Sequence, residues 1–418
     1  MEAQTGADSG LKAWQQCALF LCAGLLLASR RPDALLHAQF YAEDGHVWFA
    51  DAYNLGWWTT LFRTQDGYFQ TLPRIGAALA LHAPLKLAPL LMNLLAIAVQ
   101  ALPVNILLSA RSSAWGSLRH RAMMAFLYLA IPNSGEMTVI LTSTQWVLAL
   151  IVFLLLVARK AAGIPGRVLD NSMVILCGLT GPFCLFLFPV AIIVAWNKRD
   201  VWRWMNAGLI ACLCFVQAYG LLIVNPHGRS PVELGASAQL LIRIVAGQVY
   251  LGTLLGSNGL SFNPGAGVFI FLVIAAMAGT AVMATGFARA GFELRLFIFL
   301  ALLLFTASLI SPAAYPPPGI TRWEMLARVP GIRYWFFPDI AFAWTLLALS
   351  QAKELWRRIL PMFLLAILCF GIARDWRHPA LKDLHFAEDA KRFDGASEGT
   401  TMTIAINPQG WNMELVKR

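Results

Sequence analysis

The chain has 418 residues, of which 58% are hydrophobic and only 13% are charged. Soluble domains carry about 25% charged residues, so this composition excludes a soluble globular protein and predicts an all-α, polytopic membrane protein. The net charge of +10 does not predict a nucleic-acid partner, because the basic residues lie in short clusters between apolar runs.

The apolar runs predict about eleven transmembrane helices, since about 20 apolar residues are needed to cross the hydrocarbon core. Glu2 and Asp8 interrupt the basic region that a cleaved signal peptide requires, so we expect the first run to be retained as an anchor. The boundary at Gly181-Pro182 is the least distinct. The predicted crossings cover approximately residues 13–30, 87–110, 120–133, 143–158, 171–181, 183–197, 205–224, 265–287, 295–311, 334–351 and 358–373.

The basic clusters alternate with the crossings and predict the orientation of the chain. By the positive-inside rule the side that carries them is cytoplasmic. The opposite side, which is periplasmic in a bacterial inner membrane, then carries the loops 31–86, 134–142, 225–264 and 312–333. We expect a transmembrane domain over 1–373 and a small periplasmic tail over 374–418. The basic residues are Arg111, Arg119, Arg121, Arg159, Lys160, Arg167, Lys198, Arg199, Arg203, Arg289, Arg295, Lys353, Arg357 and Arg358.

The first outer loop combines an acidic pair, Glu43 and Asp44, with many aromatic residues. Aromatic side chains prefer the membrane interface, so juxtamembrane helices are expected here. A carboxylate held at this height can accept a proton from a substrate hydroxyl. The pair can equally cap the helix that starts near Gly45. The aromatic residues are Trp48, Phe49, Tyr53, Trp57 and Trp58.

Short motifs along the whole chain resemble the GT-C superfamily of polytopic glycosyltransferases. Within it, the similarity is greatest to bacterial integral-membrane glucosyltransferases that act on O-antigen, the outer part of lipopolysaccharide, and on related surface glycans. The motifs are Tyr41-Ala42-Glu43-Asp44-Gly45, the region of Arg74, Pro132-Asn133-Ser134-Gly135-Glu136, Gly181-Pro182-Phe183, Arg333-Tyr334-Trp335-Phe336 and Ile406-Asn407-Pro408-Gln409-Gly410-Trp411.

The resemblance implies an inverting hexosyltransferase whose donor is a polyprenyl-phosphate sugar. The acceptor would be a lipid-linked or surface glycan on the periplasmic face, and the catalytic base would be an acidic residue of the first outer loop. The matching positions are Glu43 and Asp44, of which we favour Asp44 as the base. If the two carboxyls share one site, their repulsion raises the pKa of one of them.

Four arginines are candidates for the donor phosphate, because a guanidinium binds phosphate oxygens in a bidentate manner and keeps its charge. Arg322, Arg328 and Arg333 lie in or at the end of the loop 312–333, which contains Tyr315-Pro316-Pro317-Pro318-Gly319 and is expected to form a partly rigid flap. Arg74 follows Pro73 in the first loop. Arg74, Arg322 and Arg328 can instead be interfacial anchors beside lipid headgroups. Arg333 is the better candidate, because Tyr334-Trp335-Phe336 follow it into the membrane.

Glu136, Tyr41, His46 and Tyr334 are the candidate substrate contacts. Glu136 lies in a short outer turn and can recognise sugar hydroxyls, bind a metal together with Asp44, or pair with an arginine. The histidines show no metal-ligand spacing, so no metal site or cofactor is predicted.

Two further outer segments have readable patterns. Residues from Leu240 to Leu255 form an amphipathic stretch that can border an acceptor cleft. In the tail, Met402–Ile406 predicts one strand followed by a tight turn, and the tail is expected to pack over the outer loops.

Two other functions fit the same pattern less well. A transporter or flippase for lipid-linked sugars would also contain apolar segments interrupted by glycine and proline, but the acidic residues here lie in outer loops. A ligase or polymerase that transfers whole glycans from a pyrophosphate carrier needs similar bases and arginines, and the sequence does not separate it from the leading hypothesis.

Overall fold

The computed structural model describes residues 11–224, 232–257 and 266–418. Helices dominate these residues, and the sheet content is limited to two short antiparallel hairpins. Glu2 and Asp8, and the turn-rich segment that begins at Asn225, lie outside the described residues. The fold is consistent with an all-α, multi-pass membrane protein.

The helices and strands follow the chain in this order. The α-helices are α1 (Ala13–Arg30), α2 (Asp33–Leu36), α3 (Ala50–Leu55), α4 (Trp57–Leu61), α5 (Thr71–Ala80), α6 (Ala88–Leu108), α7 (Leu118–Ala130), α8 (Thr144–Val157), α9 (Ile164–Gly178), α10 (Phe183–Lys198), α11 (Val201–Tyr219), α12 (Ala238–Ile242), α13 (Gly252–Leu255), α14 (Ala266–Arg289), α15 (Phe292–Ile310), α16 (Arg322–Arg328), α17 (Phe336–Leu349), α18 (Leu355–Arg374) and α19 (Phe386–Asp394). Segments Asp44–Phe49, Gly220–Val224 and Arg243–Leu251 are π-helical, and Leu85–Leu87, Ala110–Trp115 and Arg333–Trp335 are 3-10 turns. The strands are β1 (Thr64–Gln65), β2 (Tyr68–Phe69), β3 (Thr401–Ile406) and β4 (Trp411–Val416).

Each of the eleven predicted crossings coincides with a helix. Among the described residues, six helical segments are long and apolar enough to cross a membrane, so the count of eleven stays a prediction. The six segments are Leu85–Leu108, Val201–Val224, Ala238–Leu255, Gly267–Arg289, Phe292–Ile310 and Leu355–Arg374.

The segment Ala238–Leu255 corresponds to the amphipathic stretch predicted for an outer loop. Leu234, four residues before this segment, accepts a hydrogen bond from the Trp323 amide at 3.0 Å. Ser257, two residues after it, donates to the Asp375 carboxyl at 2.6 Å. Trp323 and Asp375 belong to loops at the same end of the bundle, so this segment does not connect the two ends.

The connections between helices collect at two ends of the bundle. At the basic end, Arg111 pairs with Asp170 and donates to the Arg159 carbonyl. Lys198 approaches Glu293 to 3.9 Å there. This grouping agrees with the alternation predicted from charge. We call the opposite end the outer end.

Two helices at the centre of the bundle, α8 and α17, begin directly after outer-end loops that carry predicted site residues. Every residue of α8 is buried, and α17 is buried over nearly its whole length. Burial on all sides means that other parts of the bundle surround both helices. The N-terminal ends of both helices therefore lie in the middle of the outer end and hold the residues that precede them in fixed positions.

The tail differs from the expectation of one strand and a turn. Residues 411–416 form a second strand, because their alternation places Met413 and Leu415 on the face that Ile404 and Ile406 bury. A helix, α19, precedes the hairpin. The tail packs over the first outer loop as expected, and the Ala42 amide donates to the Asn407 carbonyl at 2.5 Å.

The predicted aromatic belt divides into two groups. Trp57 and Trp58 are 46% and 62% exposed and suit the membrane interface. Trp48 and Phe49 are buried in the core instead, and the Trp48 indole donates to the Thr142 hydroxyl at 2.8 Å. The prediction is wrong for these two, because the first loop folds as a layer with an inner face.

Candidate functional site

A cavity of about 310 Å³ lies between the outer-end loops and the helices beneath them. Polar residues, among them Gln145 and Arg333, line part of the cavity. Apolar residues of α10, α15 and the π-helical segment that follows α11 form its walls. The lining residues include Tyr68, Gln145, Trp146, Phe183, Phe186, Leu221, Leu304, Ser308, Arg333 and Tyr334. Of the predicted site residues, Arg333 and Tyr334 line this cavity.

Arg333 is fixed by the loop between α7 and α8. Its amide donates to Glu136 Oε2 at 3.2 Å, and its guanidinium forms an ion pair with the same oxygen at 3.6 Å. The Glu136 amide in turn donates to the Gly331 carbonyl at 2.9 Å. Gly331 has φ 73°, and a Cβ there would lie 3.1 Å from the Gly135 amide nitrogen. The loop between α7 and α8 thus lies directly against the loop before α17, and this close approach requires glycine at position 331.

Glu136 therefore has the third of its three predicted roles, as the partner of an arginine. Its side chain is 29% exposed, and that of Arg333 is 22% exposed. The pair is accessible from the cavity side, so the guanidinium retains donors for an anion beyond those that face Glu136.

Asp44, the favoured base, is engaged in structural hydrogen bonds. It is 3% exposed, and its oxygens accept from the Leu141 amide at 3.1 Å, the Thr142 amide at 2.9 Å and the Thr142 hydroxyl at 2.6 Å. These donors lie in the turn before α8, where they would otherwise be buried without partners. Asp44 thus fastens the first loop to α8, and its carboxyl has little exposed surface to present to a substrate.

Glu43 has the opposite environment. Its side chain is half-buried, and it makes no hydrogen bond or ion pair with another described residue. Its charge acts on Arg333 and on Tyr41. Of the two adjacent carboxyls, Glu43 is the one that is free to meet a substrate beside Arg333.

Burial raises the pKa of Asp44 to about 7, although the hydrogen bonds from Thr142 and Leu141 act in the opposite direction. The folded protein then holds this proton to a higher pH than the unfolded chain does. The contribution of Asp44 to stability is therefore greatest in acid and is lost as pH rises from about 4, the usual pKa of aspartate, to about 7.

Replacing Asp44 by alanine is expected to lower stability by about 3 kcal/mol, because two backbone amides and a hydroxyl lose a buried acceptor. Thermal melting of purified protein in detergent between pH 4 and pH 8 measures this loss. The Asp44→Asn protein keeps one acceptor oxygen, so it should melt between wild type and Asp44→Ala and should lack the decline in stability between pH 4 and pH 7. An Asp44→Ala protein that melts like wild type would contradict the anchoring role.

Tyr41 lies close enough to Glu43, Glu136 and Arg333 for their charges to act on its hydroxyl. It is half-buried, and its backbone bridges to Asn407 of the tail. Burial, together with the charge of Glu136, raises the pKa of Tyr41 to about 12. The phenol therefore stays protonated near neutral pH and can donate a hydrogen bond to a substrate oxygen.

The structure separates the other three candidate arginines from the cavity. Arg74 is buried, pairs with Asp51 at 3.1 Å and lies over the Trp48 ring at 5.0 Å. Arg322 donates to the Pro312 carbonyl at 3.4 Å within its own loop. Arg328 is exposed and lies 3.9 Å from Glu324. Their contacts hold loops together, so the assignment of these three to the donor phosphate is not supported by the geometry.

The two remaining predicted contacts are also committed to the fold. His46 Nδ1 lies 2.6 Å from the Asn412 carbonyl oxygen, and its ring meets Trp411 edge to face. It therefore serves the junction with the tail. The Tyr334 hydroxyl accepts from the Ala313 amide at 2.8 Å, so Tyr334 anchors the loop 312–333 and offers its ring to the cavity.

Tyr68, Gln145 and Trp146 are lining residues that the sequence analysis did not single out. A signal for Tyr68 was present in the dipeptide Asp66-Gly67, which favours a two-residue hairpin turn. Both residues have positive φ, and they join β1 to β2. Gln145 is a polar residue one position inside the apolar run of α8, where it accepts a hydrogen bond from Gln70 at 3.3 Å.

No group of three or more His, Cys, Asp or Glu side chains is arranged to hold a metal ion within the described residues. No family model, no curated protein and no solved structure matches this chain.

Proposed function

We propose that the chain is an inverting glycosyltransferase that moves a hexose from a polyprenyl-phosphate sugar to a lipid-linked or surface glycan. The observation that carries this proposal is the cavity that Arg333 lines together with apolar residues of membrane helices, while the Glu43 carboxyl lies close enough for its charge to act on Arg333. A lipid-borne phosphate has the same division into a charged head and an apolar chain.

Arg333 binds the donor phosphate in this proposal. Its guanidinium keeps its charge and presents parallel donors to phosphate oxygens. Glu136 holds it from the opposite side, which orients it before the donor arrives. The apolar residues below, among them Phe186, Leu221 and Leu304, receive the first isoprene units.

Glu43 acts as the general base. It takes the proton from an acceptor hydroxyl as the oxygen attacks the anomeric carbon, and the bond between that carbon and the phosphate oxygen breaks in the same step. The leaving polyprenyl phosphate carries the developing negative charge, which Arg333 stabilises. One displacement inverts the configuration at the anomeric carbon.

The site is assigned to the periplasmic face of a bacterial inner membrane. This assignment is supported by the basic connections at the opposite end of the bundle and by the exposed Trp57 and Trp58 beside the first loop. The donor, the acceptor and the surrounding membrane lipids are the partners in this proposal.

The test is sugar transfer by purified protein in lipid nanodiscs. A synthetic polyprenyl-phosphate hexose and a lipid-linked oligosaccharide serve as substrates, and a nucleotide hexose replaces the donor as the control. We expect a glycan longer by one hexose, with inverted anomeric configuration by NMR, from the polyprenyl donor only. Movement of the donor across vesicles without transfer would instead indicate a flippase. Transfer of a whole glycan from a pyrophosphate carrier would indicate a ligase or polymerase.

A further inference from the structure

A second cavity lies at the basic end of the bundle, and none of its lining residues belongs to the candidate site. It has a volume of about 660 Å³ and lies between α14, the end of α17 and α18. Ala281, Leu360 and Pro361 are among its apolar residues, whereas Arg289 and Arg357 lie at its polar mouth. It has the same division into apolar walls and a charged mouth, but it faces the opposite side of the membrane.

Three helices shape this cavity into a groove. α17 packs against both α14 and α18 and forms the floor. The floor and one wall are in close contact at Gly286, where an added Cβ would lie 2.2 Å from Thr345 Cγ2. Met277 on α14 and Phe363 on α18 are largely exposed, so the groove is bordered by surfaces that suit lipid chains.

The mouth of the groove has an excess of positive charge. Arg357 pairs with Glu354 at 2.9 Å, and Lys353 and Arg358 are adjacent to this pair in the sequence. Arg289, on the facing wall, makes no hydrogen bond or ion pair with another described residue. Arg289 is exposed, and its guanidinium is thus free to contact an anion from outside the protein.

We propose that this groove binds an anionic phospholipid of the leaflet at the basic end. The lipid phosphate lies between Arg289 and Arg357, and an acyl chain follows the groove along α14 toward Ala278. Basic pockets between membrane helices on the cytoplasmic side suit anionic headgroups. Trp356, which lies in the cavity wall and contacts Arg357, places the mouth at headgroup height. A zwitterionic headgroup would bring its own cation against the arginines, so the groove should prefer an anionic lipid.

The test uses delipidated protein and native mass spectrometry with defined lipids. Phosphatidylglycerol should bind wild type, and Arg289→Gln combined with Arg357→Gln should weaken that binding about tenfold or more. The matched control is Arg119→Gln combined with Lys160→Gln. This variant removes two exposed charges from the same end without touching the groove, and it should bind phosphatidylglycerol as wild type does.

Two further arms separate a lipid site from a simple anion site. Ala281→Trp fills the groove and keeps its charges, so it should weaken phosphatidylglycerol binding while its melting temperature shows that the fold persists. Inorganic phosphate alone should bind far more weakly than the lipid. Equal binding of phosphatidylcholine and phosphatidylglycerol, or unchanged lipid binding by the Ala281→Trp and double-arginine proteins, would overturn the proposal.

Discussion

The Glu43→Gln protein is expected to transfer sugar about a hundredfold to ten-thousandfold more slowly than wild type, the range over which a general base contributes to catalysis. Glutamine keeps the size and polarity of the side chain but cannot accept the proton. Since the Glu43 carboxyl makes no hydrogen bond or ion pair with the described residues, the melting temperature should stay unchanged. Initial rates at saturating donor and acceptor, with a melting curve for each protein, measure both effects.

Asp44→Asn is the matched comparison, because it makes the same chemical change one position later. The structure predicts that this variant loses stability and retains transfer in the fraction that stays folded, since Asp44 contacts Leu141 and Thr142 of the protein. Glu43→Asp keeps the carboxyl on a shorter side chain and should recover part of the activity. If Glu43→Gln transfers sugar at the wild-type rate while Asp44→Asn is folded and inactive, the two roles must be exchanged.

The sequence was sufficient to locate the long apolar helices, because a run of about 20 apolar residues is needed to cross a membrane. The eleven predicted segments coincide with helices, and the predicted strand around Met402–Ile406 is present as β3. The second strand was missed, although Met413 and Leu415 alternate with polar residues. β4 contains one β-branched residue, whereas β3 contains four, so the strand propensity of β4 is weaker.

Sequence patterns did not predict that Glu43 and Asp44 have different environments. Both carboxyls have the same local context, and what separates them is a contact between Asp44 and the turn at Leu141 and Thr142, nearly a hundred positions away. The first loop is also π-helical at this point, so a helical wheel with 3.6 residues per turn does not predict which residue faces inward.

Sequence patterns also did not predict which arginine lines the cavity. Arg74 and Arg333 both stand beside aromatic residues near the outer face, yet one is buried against Asp51 and the other reaches the cavity. A guanidinium forms equally good bonds with a carboxylate of the protein and with a phosphate. Whether an arginine pairs with a carboxylate or can bind a phosphate depends on which groups lie near it, and the fold determines which groups these are.

Arg333→Gln is expected to lower the turnover rate about a hundredfold to a thousandfold, as when a group that stabilises the leaving charge is removed from other active sites. The Michaelis constant for the donor should rise as well, because the ground-state phosphate loses the same contact. Arg333→Lys keeps the charge but loses the bidentate geometry, so it should recover part of the activity. Transfer measured over a range of donor concentrations separates the two effects.

Arg322→Gln and Arg328→Gln are the controls that make this result specific. They remove the same charge from the same loop, but Arg322 reaches a backbone carbonyl of that loop and Arg328 lies at the surface beside Glu324. Both should transfer sugar within a few-fold of wild type. Glu136→Gln should have an intermediate effect, because it removes the ion pair but keeps an oxygen for the Arg333 amide. If the three arginine variants lost activity equally, a diffuse positive field would account for donor binding, and the cavity would lose its assigned role.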